Sequence, residues 1–209
     1  MFQPHHFGLL FSKAHAENAQ KHRHDMPIEK AWDFLNHYTP KSDFENAQTN
    51  GLRYRFSDDM QSGALTLDLL EKHASTPLDR TRKFADLVTE AFVFVQCFEL
   101  VRDHPDMTDS KLMHLLEKFS DNRNQLYQHN DEHDLSLSQF LWLTTLNMAT
   151  SIALEDETGF DECVTVYKQT IDEEVHPEGY LPRAIEEGSA HVNFTNQLTS
   201  VQALILMAE

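Results

Sequence analysis

Thirteen imidazoles are spread over these 209 residues, and the segment HNDEHD sets His129 and His133 four apart with Asp131 and Asp134 beside them. On a helix that spacing puts both rings on one face, the geometry of many zinc and iron sites. A pair of this kind arises readily by chance at such a His content, and the Glu of a His-Glu-x-x-His motif is missing. His5, His6, His22 and His24 add imidazoles without a ligand pattern, so no metal and no cofactor is assigned. The second polar concentration is the segment 176–197, with Tyr180, Arg183, His191, Asn193 and Gln197. An imidazole titrates near neutral pH and can take a proton, a phenol can give one, and a guanidinium can neutralise an anion. The plainer alternative is a polar loop whose His and Tyr satisfy backbone groups. No Gly-rich phosphate loop and no G-x-S-x-G elbow occurs, which leaves nucleotide-dependent and hydrolase-triad chemistry without support. Asn193-Phe194-Thr195 is a glycosylation sequon, of consequence only in a secreted eukaryotic chain.

The elements that position these groups are helices. Strand-like alternation is nearly absent, Gly is scarce, and apolar stretches with helical spacing recur. Pro27 marks the start of a first helix through IEKAWDFLNHY, with Ala31, Trp32, Phe34 and Leu35 on a broad apolar face. Residues 39–63 are polar and turn-rich and predict an ordered loop or lid. ALTLDLLEKHA follows, then a long helix through FADLVTEAFVFVQCFELV that stops near His104-Pro105. Thr108 or Ser110 caps the next helix, running to about Leu126. The segment HNDEHDLSLSQFLWLTTLNMATSIALE supplies a second strongly apolar helix, TGFDECVTVYKQTIDEEV an amphipathic one with Phe160, Val164, Tyr167 and Ile171 in register, and a closing helix runs from Thr195 to Glu209. The two apolar helices require cover on several sides, which predicts burial of Phe92, Phe94, Phe98, Leu141, Leu146 and Ile152.

With 40% apolar residues the chain can bury one good core, and residues 1–209 are expected to form a single all-helical domain. The net charge of −17 repels nucleic acid and anionic membranes. Cys97 and Cys163 fall in apolar helices and read as buried thiols rather than a disulfide. The N-terminus MFQPHHFGLLF has no basic region and too short an apolar run for a signal or a span, so the chain is cytoplasmic, or periplasmic or secreted if a signal was removed.

Three stretches carry a family resemblance. They are HHFGLLFSKAHAENAQKHRHDMPIEKAWDFLN, then FLWLTTLNMATSIALEDETGFDECVTVYKQTID from Phe140 to Asp172, then VHPEGYLPRAIEEGSAHVNFTNQLTSVQALILMAE from Val175 to Glu209. In content and order they resemble the alginate lyase family of polysaccharide lyases. Gly179, Leu181, Pro182, Gly188 and the run Ala203 to Glu209 match its Gly-x-Leu-Pro turn and closing helix. The resemblance implies helical hairpins in an (α/α) toroid, complete or incomplete, and β-elimination on a uronate polymer such as alginate. It also implies an acidic polysaccharide or oligosaccharide as partner. Family members continue past ALILMAE, which implies a fragment or a short form whose closing helix keeps an uncovered apolar face suited to self-association.

Such a lyase neutralises the sugar carboxylate, removes the C5 proton and protonates the leaving O4, without a cofactor. The family's Asn-Asn-His-x-x-Trp stretch aligns its Trp with Trp142 but sets Leu137, Ser138 and Gln139 in place of the two Asn and the His. Its Arg and Tyr fall near Ala190 and Phe194. Substitutes would have to act: His133 or His191 as base, Tyr180 as acid, Arg183 beside them, and Gln139, Trp142, Asn193, Gln197 and His129 holding the sugar. The competing expectations are a helical toroid that binds carbohydrate or serves structurally without catalysis and, less favoured, a His-rich metal-binding helical protein.

Overall fold

The computed structural model describes residues 2–132, 135–185 and 190–208, with backbone only at 129–132. Every element among them is helical: α1 Lys13–Lys21, α2 Ile28–His37, α3 Asp43–Ser57, α4 Met60–Ala74, α5 Phe84–Val101, α6 Asp109–Glu132, α7 Leu137–Leu154, α8 Glu157–Glu174 and α9 Ala190–Ala208, with a 3-10 turn at Pro182–Ala184. No helix among the described residues is long and apolar enough to cross a membrane. The residues cluster into two compact units, one of Gln3–Leu78 and Val93–Phe119, the other of Phe2, Asp79–Phe92 and Ser120–Glu209.

The first unit is built on the α3–α4 hairpin. Ser42 caps α3 by accepting from the Glu45 amide, and Asp59 caps α4 by accepting from the Gln61 and Ser62 amides. Between the helices Asp58 takes a left-handed conformation, φ 54°. The pair Asp58-Asp59 therefore ends one helix and starts the next, a tight connection that brings the two side by side. Their interface uses small groups. Ala47, Asn50 and Gly51 of α3 are buried, as are Ser62, Gly63 and Thr66 of α4. Ser62 Oγ donates to Asn50 Oδ1, and Thr66 Oγ1 lies within reach of the carbonyls of Ala47 and Ser62. This overturns the expected loop or lid at 39–63. Large apolar residues are sparse there because the helices approach closely through small polar ones, which hydrophobic periodicity does not register. Arg53 of α3 donates to the carbonyls of Leu35, Asn36 and Tyr38, the open C-terminal end of α2. A helix not anticipated from the sequence, α1, starts at a capping box formed by Ser12 and His15.

The second unit repeats this connection. Glu155 takes φ 56° and Asp156 caps α8 at the Gly159 amide, so α7 and α8 also join through an acidic left-handed residue followed by an Asp cap. Arg123 reaches Asp156 Oδ2 at 3.3 Å and steadies the turn. Leu137, Leu141 and Met148 of α7, Cys163 of α8, and Ala203, Leu204 and Met207 of α9 form its core with Leu181 and Ala184. Phe160, Val164 and Tyr167 pack against this core, whereas Ile171 is exposed. Phe92, Phe94, Phe98, Leu141 and Leu146 are buried as expected, and Ile152 is half-buried. Thr108 Oγ1 accepts from the Lys111 amide at the start of α6, which extends past Leu126 to Glu132. The closing helix starts at Ala190, not Thr195.

Candidate functional site

The residues of α7 that carry the resemblance lie on the wall of a cavity of about 620 Å³ in the second unit. Three elements of that unit build it. The first turns of α5 contribute Phe84, Ala85, Val88 and Thr89. The start of α7 contributes Ser136, Ser138, Gln139 and Trp142, and α9 contributes Val192, Thr195, Asn196, Thr199 and Gln202.

Each group has a definite setting. Ser136 caps α7 in a capping box with Gln139, whose Oε1 accepts from the Ser136 amide at 3.1 Å, while its amide NH2 makes no hydrogen bond among the described residues. Trp142 is half-buried, its indole N–H donating to the Thr199 carbonyl at 3.1 Å and its ring set edge-on to Phe92 at 5.8 Å. The hydroxyls of Thr89, Thr195 and Thr199 donate back into their own helices, to Ala85, His191 and Thr195. Their lone pairs stay open as acceptors. Among the described residues no hydrogen bond engages the side chains of Asn196 or Gln202. The described lining residues are all uncharged.

The other proposed chemical groups lie elsewhere in the second unit. Tyr180 stacks on His176 with ring centroids 4.5 Å apart, in a turn closed by Gly179 at φ 84°. Arg183 is exposed and paired with Glu174 at 2.6 Å. Gln197 clips the loop to α9, its Oε1 accepting from the Leu181 amide and its Nε2 donating to the Leu181 carbonyl. His191 is exposed in the first turn of α9. Asn193 is half-buried with an unbonded Oδ1. None of these five lines the cavity among the described residues. His133 lies outside the described residues, and His129 sits on the part of α6 where only backbone is described. No group of three or more His, Cys, Asp or Glu is disposed to hold a metal among the described residues.

What sequence reasoning missed is the α9 wall. Thr195, Asn196, Thr199 and Gln202 recur at helical spacing, a polar stripe on a helix otherwise rich in apolar residues, and that periodicity was the available signal. A separate, exposed face of α9 carries Phe194, Leu198, Val201 and Ile205.

In the first unit Arg55 and Tyr54 share the wall of a space of about 460 Å³ that also takes in Lys13, Glu17, Asp58 and Asp103. Arg55 is committed there. Its Nη1 and Nη2 each bind Asp103 at 2.9 Å, and the ring of Phe7 lies 4.2 Å from its guanidinium carbon. Burial, followed by the nearby Asp103 charge, raises the Tyr54 phenol above its ordinary range. An Arg neutralised by Asp103, beside Glu17 and Asp58, offers little to a polyanion.

Comparison with known proteins gives no matching family model, no matching curated protein and no matching solved structure. The likeness to alginate lyases therefore rests on the three stretches quoted above.

Proposed function

We propose that the second unit binds a saccharide chain in the cavity beside Trp142 and leaves the chain intact. The observation that carries this reading is the wall chemistry: an indole and a phenyl ring among hydroxyls and primary amides, with no charged side chain among the described residues. Sugars present apolar C–H faces that pack on aromatic rings and hydroxyls that both donate and accept. Here the Thr oxygens accept, while the amide NH2 groups of Gln139, Asn196 and Gln202 donate. Paired helices of the α3–α4 and α7–α8 kind are the building blocks of an (α/α) toroid, and that arrangement forms part of this proposal.

The lyase reading has support from the placement of Gln139 and Trp142 on one cavity wall. Elimination on a uronate asks in addition for a proton acceptor at C5. No imidazole, carboxylate or phenol lines the cavity among the described residues, which favours binding over cleavage.

The test is a fluorescence titration of a Trp32→Phe chain, in which Trp142 is the remaining indole. Neutral oligosaccharides and alginate oligomers are titrated in parallel while absorbance of an unsaturated uronate product is followed. Saturable change with a neutral oligosaccharide, lost in an Asn196→Ala/Gln202→Ala variant, is the expected result. An absorbance rise on alginate that Gln139→Ala abolishes would restore the lyase reading. Absence of any saturable response would refute saccharide binding.

A further inference from the structure

The first unit contains a second cavity, of about 460 Å³, walled by the end of the N-terminal segment, by α1, α2 and α3. Its surface is mainly apolar and aromatic, from Phe11, Trp32, Phe34, Leu35, Leu52 and Phe56. Pockets of a few hundred cubic ångströms with apolar walls and few polar groups are the usual form of a small-molecule site. The helix that supplies Trp32, Phe34 and Leu35, α2, has no buried residue. Phe34, placed by sequence periodicity on an apolar face, is 67% exposed. Its ring lies 5.0 Å from that of Tyr38, on the same cavity.

Among the described residues one charged side chain lines this space, Glu45. Its Oε2 accepts from the Tyr38 hydroxyl and from the Lys41 amide, both at 2.8 Å. These bonds favour the carboxylate form and hold Glu45 below its ordinary range. Both fall on Oε2, and Oε1 takes no hydrogen bond from any described residue. Arg53 is engaged by the three α2 carbonyls, and Lys41, whose side chain is exposed, attracts Glu45 less than the two hydrogen bonds do. An oriented carboxylate oxygen beside Trp, Tyr and Phe rings is a composition that attracts a cation twice. Coulomb attraction acts through the carboxylate and the ring quadrupoles act through their faces. The net charge of −17 concentrates cations about the chain generally.

We propose that this cavity binds a small organic ammonium ion with an apolar body, its cationic head against Glu45 and the rings of Tyr38, Phe34 and Trp32, and its body among Phe11, Leu52 and Phe56. A neutral lipophile would fill the apolar part and leave the carboxylate unmatched. An anion would be repelled by it.

The test uses a Trp142→Phe variant of the 209-residue chain, so that Trp32 reports from the cavity wall. Benzyltrimethylammonium is titrated against its neutral carbon isostere, neopentylbenzene, and against benzoate. The expected result is saturable change with the ammonium, at least tenfold tighter than with the isostere, and none with benzoate. Glu45→Gln, which keeps an oxygen for the Lys41 amide and the Tyr38 hydroxyl, should weaken the ammonium at least tenfold and leave the isostere unchanged. Leu52→Trp, which fills the cavity, should weaken both, with circular dichroism of each variant matching the parent. Equal affinity for ammonium and isostere, or an unaltered ammonium affinity in Glu45→Gln, would overturn the proposal. So would the absence of ammonium binding to the parent.

Discussion

His73, in the last turn of α4, should make the stability of the chain fall steeply in mild acid. Its ring stacks on Phe94 with centroids 3.8 Å apart and planes 11° from parallel. Its Nε2 is covered and has no hydrogen-bond partner. Burial first, and the positive charge of Lys118 second, depress the imidazole from 6.5 to about 4. The folded state thus refuses a proton that the unfolded state accepts. Between about pH 4 and 6.5 the unfolded chain binds more protons, so stability rises with pH across that window. The contribution is complete above pH 6.5 and is lost as pH falls toward 4. The separation of the two values corresponds to about 3 kcal/mol, of which about 2 kcal/mol is already gone near pH 4.5. Carboxylates titrate in the same region, so the parent alone does not isolate the effect. His73→Phe retains an aromatic ring against Phe94 and removes the titration. Urea denaturation of parent and variant at pH 7.5 and 4.5, with equal m-values, gives the comparison. The variant should gain about 2 kcal/mol relative to the parent on acidification. Parallel stability profiles for the two proteins would refute the reasoning.

Four further outcomes are expected. Gly63→Ala should destabilise by about 1 to 3 kcal/mol, more than the helix propensity it gains, because its methyl would meet the buried His104 ring at 2.6 Å and the Tyr54 ring at 2.7 Å. Gly179→Ala meets no atom within 4 Å and should cost only about 1 kcal/mol from its positive φ, so a urea midpoint for Gly63→Ala at or above the parent's would contradict the packing. Both thiols should resist alkylation in the native chain at pH 7.5 and react fully in urea, since burial raises Cys97 and pushes Cys163 up to about 11; fast labelling of folded protein would be the opposite result. The exposed stripe Phe194, Leu198, Val201 and Ile205 should cause concentration-dependent self-association in sedimentation velocity, abolished by Leu198→Lys/Ile205→Lys, and a parent that stays monomeric at all concentrations would exclude it.

The helices legible from sequence are those whose burial is written in large side chains. Apolar residues almost all round α5 and α7 leave no solvent face to satisfy, and Phe98 and Leu141 are fully enclosed as that pattern requires. α3 and α4 obey a different rule. Ala47, Gly51 and Gly63 lack bulk, and Asn50, Ser62 and Thr66 would each be costly to bury alone. Together they satisfy one another, as the Ser62–Asn50 and Thr66–Ala47 bonds do, and the close approach they allow replaces the missing apolar volume. A reading by hydropathy sees only polar residues there and returns a loop. The local chemistry was nonetheless present in the sequence: Asp58-Asp59 and Glu155-Asp156 each join an acidic residue able to turn left-handed to an Asp able to cap, and each closes a hairpin.

The candidate site divides along the same line. Gln139 and Trp142 could be placed together because they are three apart on one helix, a relation fixed by helical periodicity. The partners of Tyr180, Arg183 and Gln197 depend on how the 176–185 loop folds back on α8 and α9, which no periodicity encodes. Each of those side chains has the chemistry of a site residue, and each is engaged by its surroundings: a ring stack on His176, an ion pair with Glu174, a two-ended clip on Leu181. Conversely, Thr195, Asn196, Thr199 and Gln202 have no reactive groups and attract no attention singly. Their value lies in what is left over after local bonds are made, an oxygen lone pair on each Thr and an unengaged amide on Asn196 and Gln202. Unspent hydrogen-bonding capacity at a concave wall is what recognises a polyhydroxylated ligand, and it becomes visible only when the neighbours of every polar atom are known.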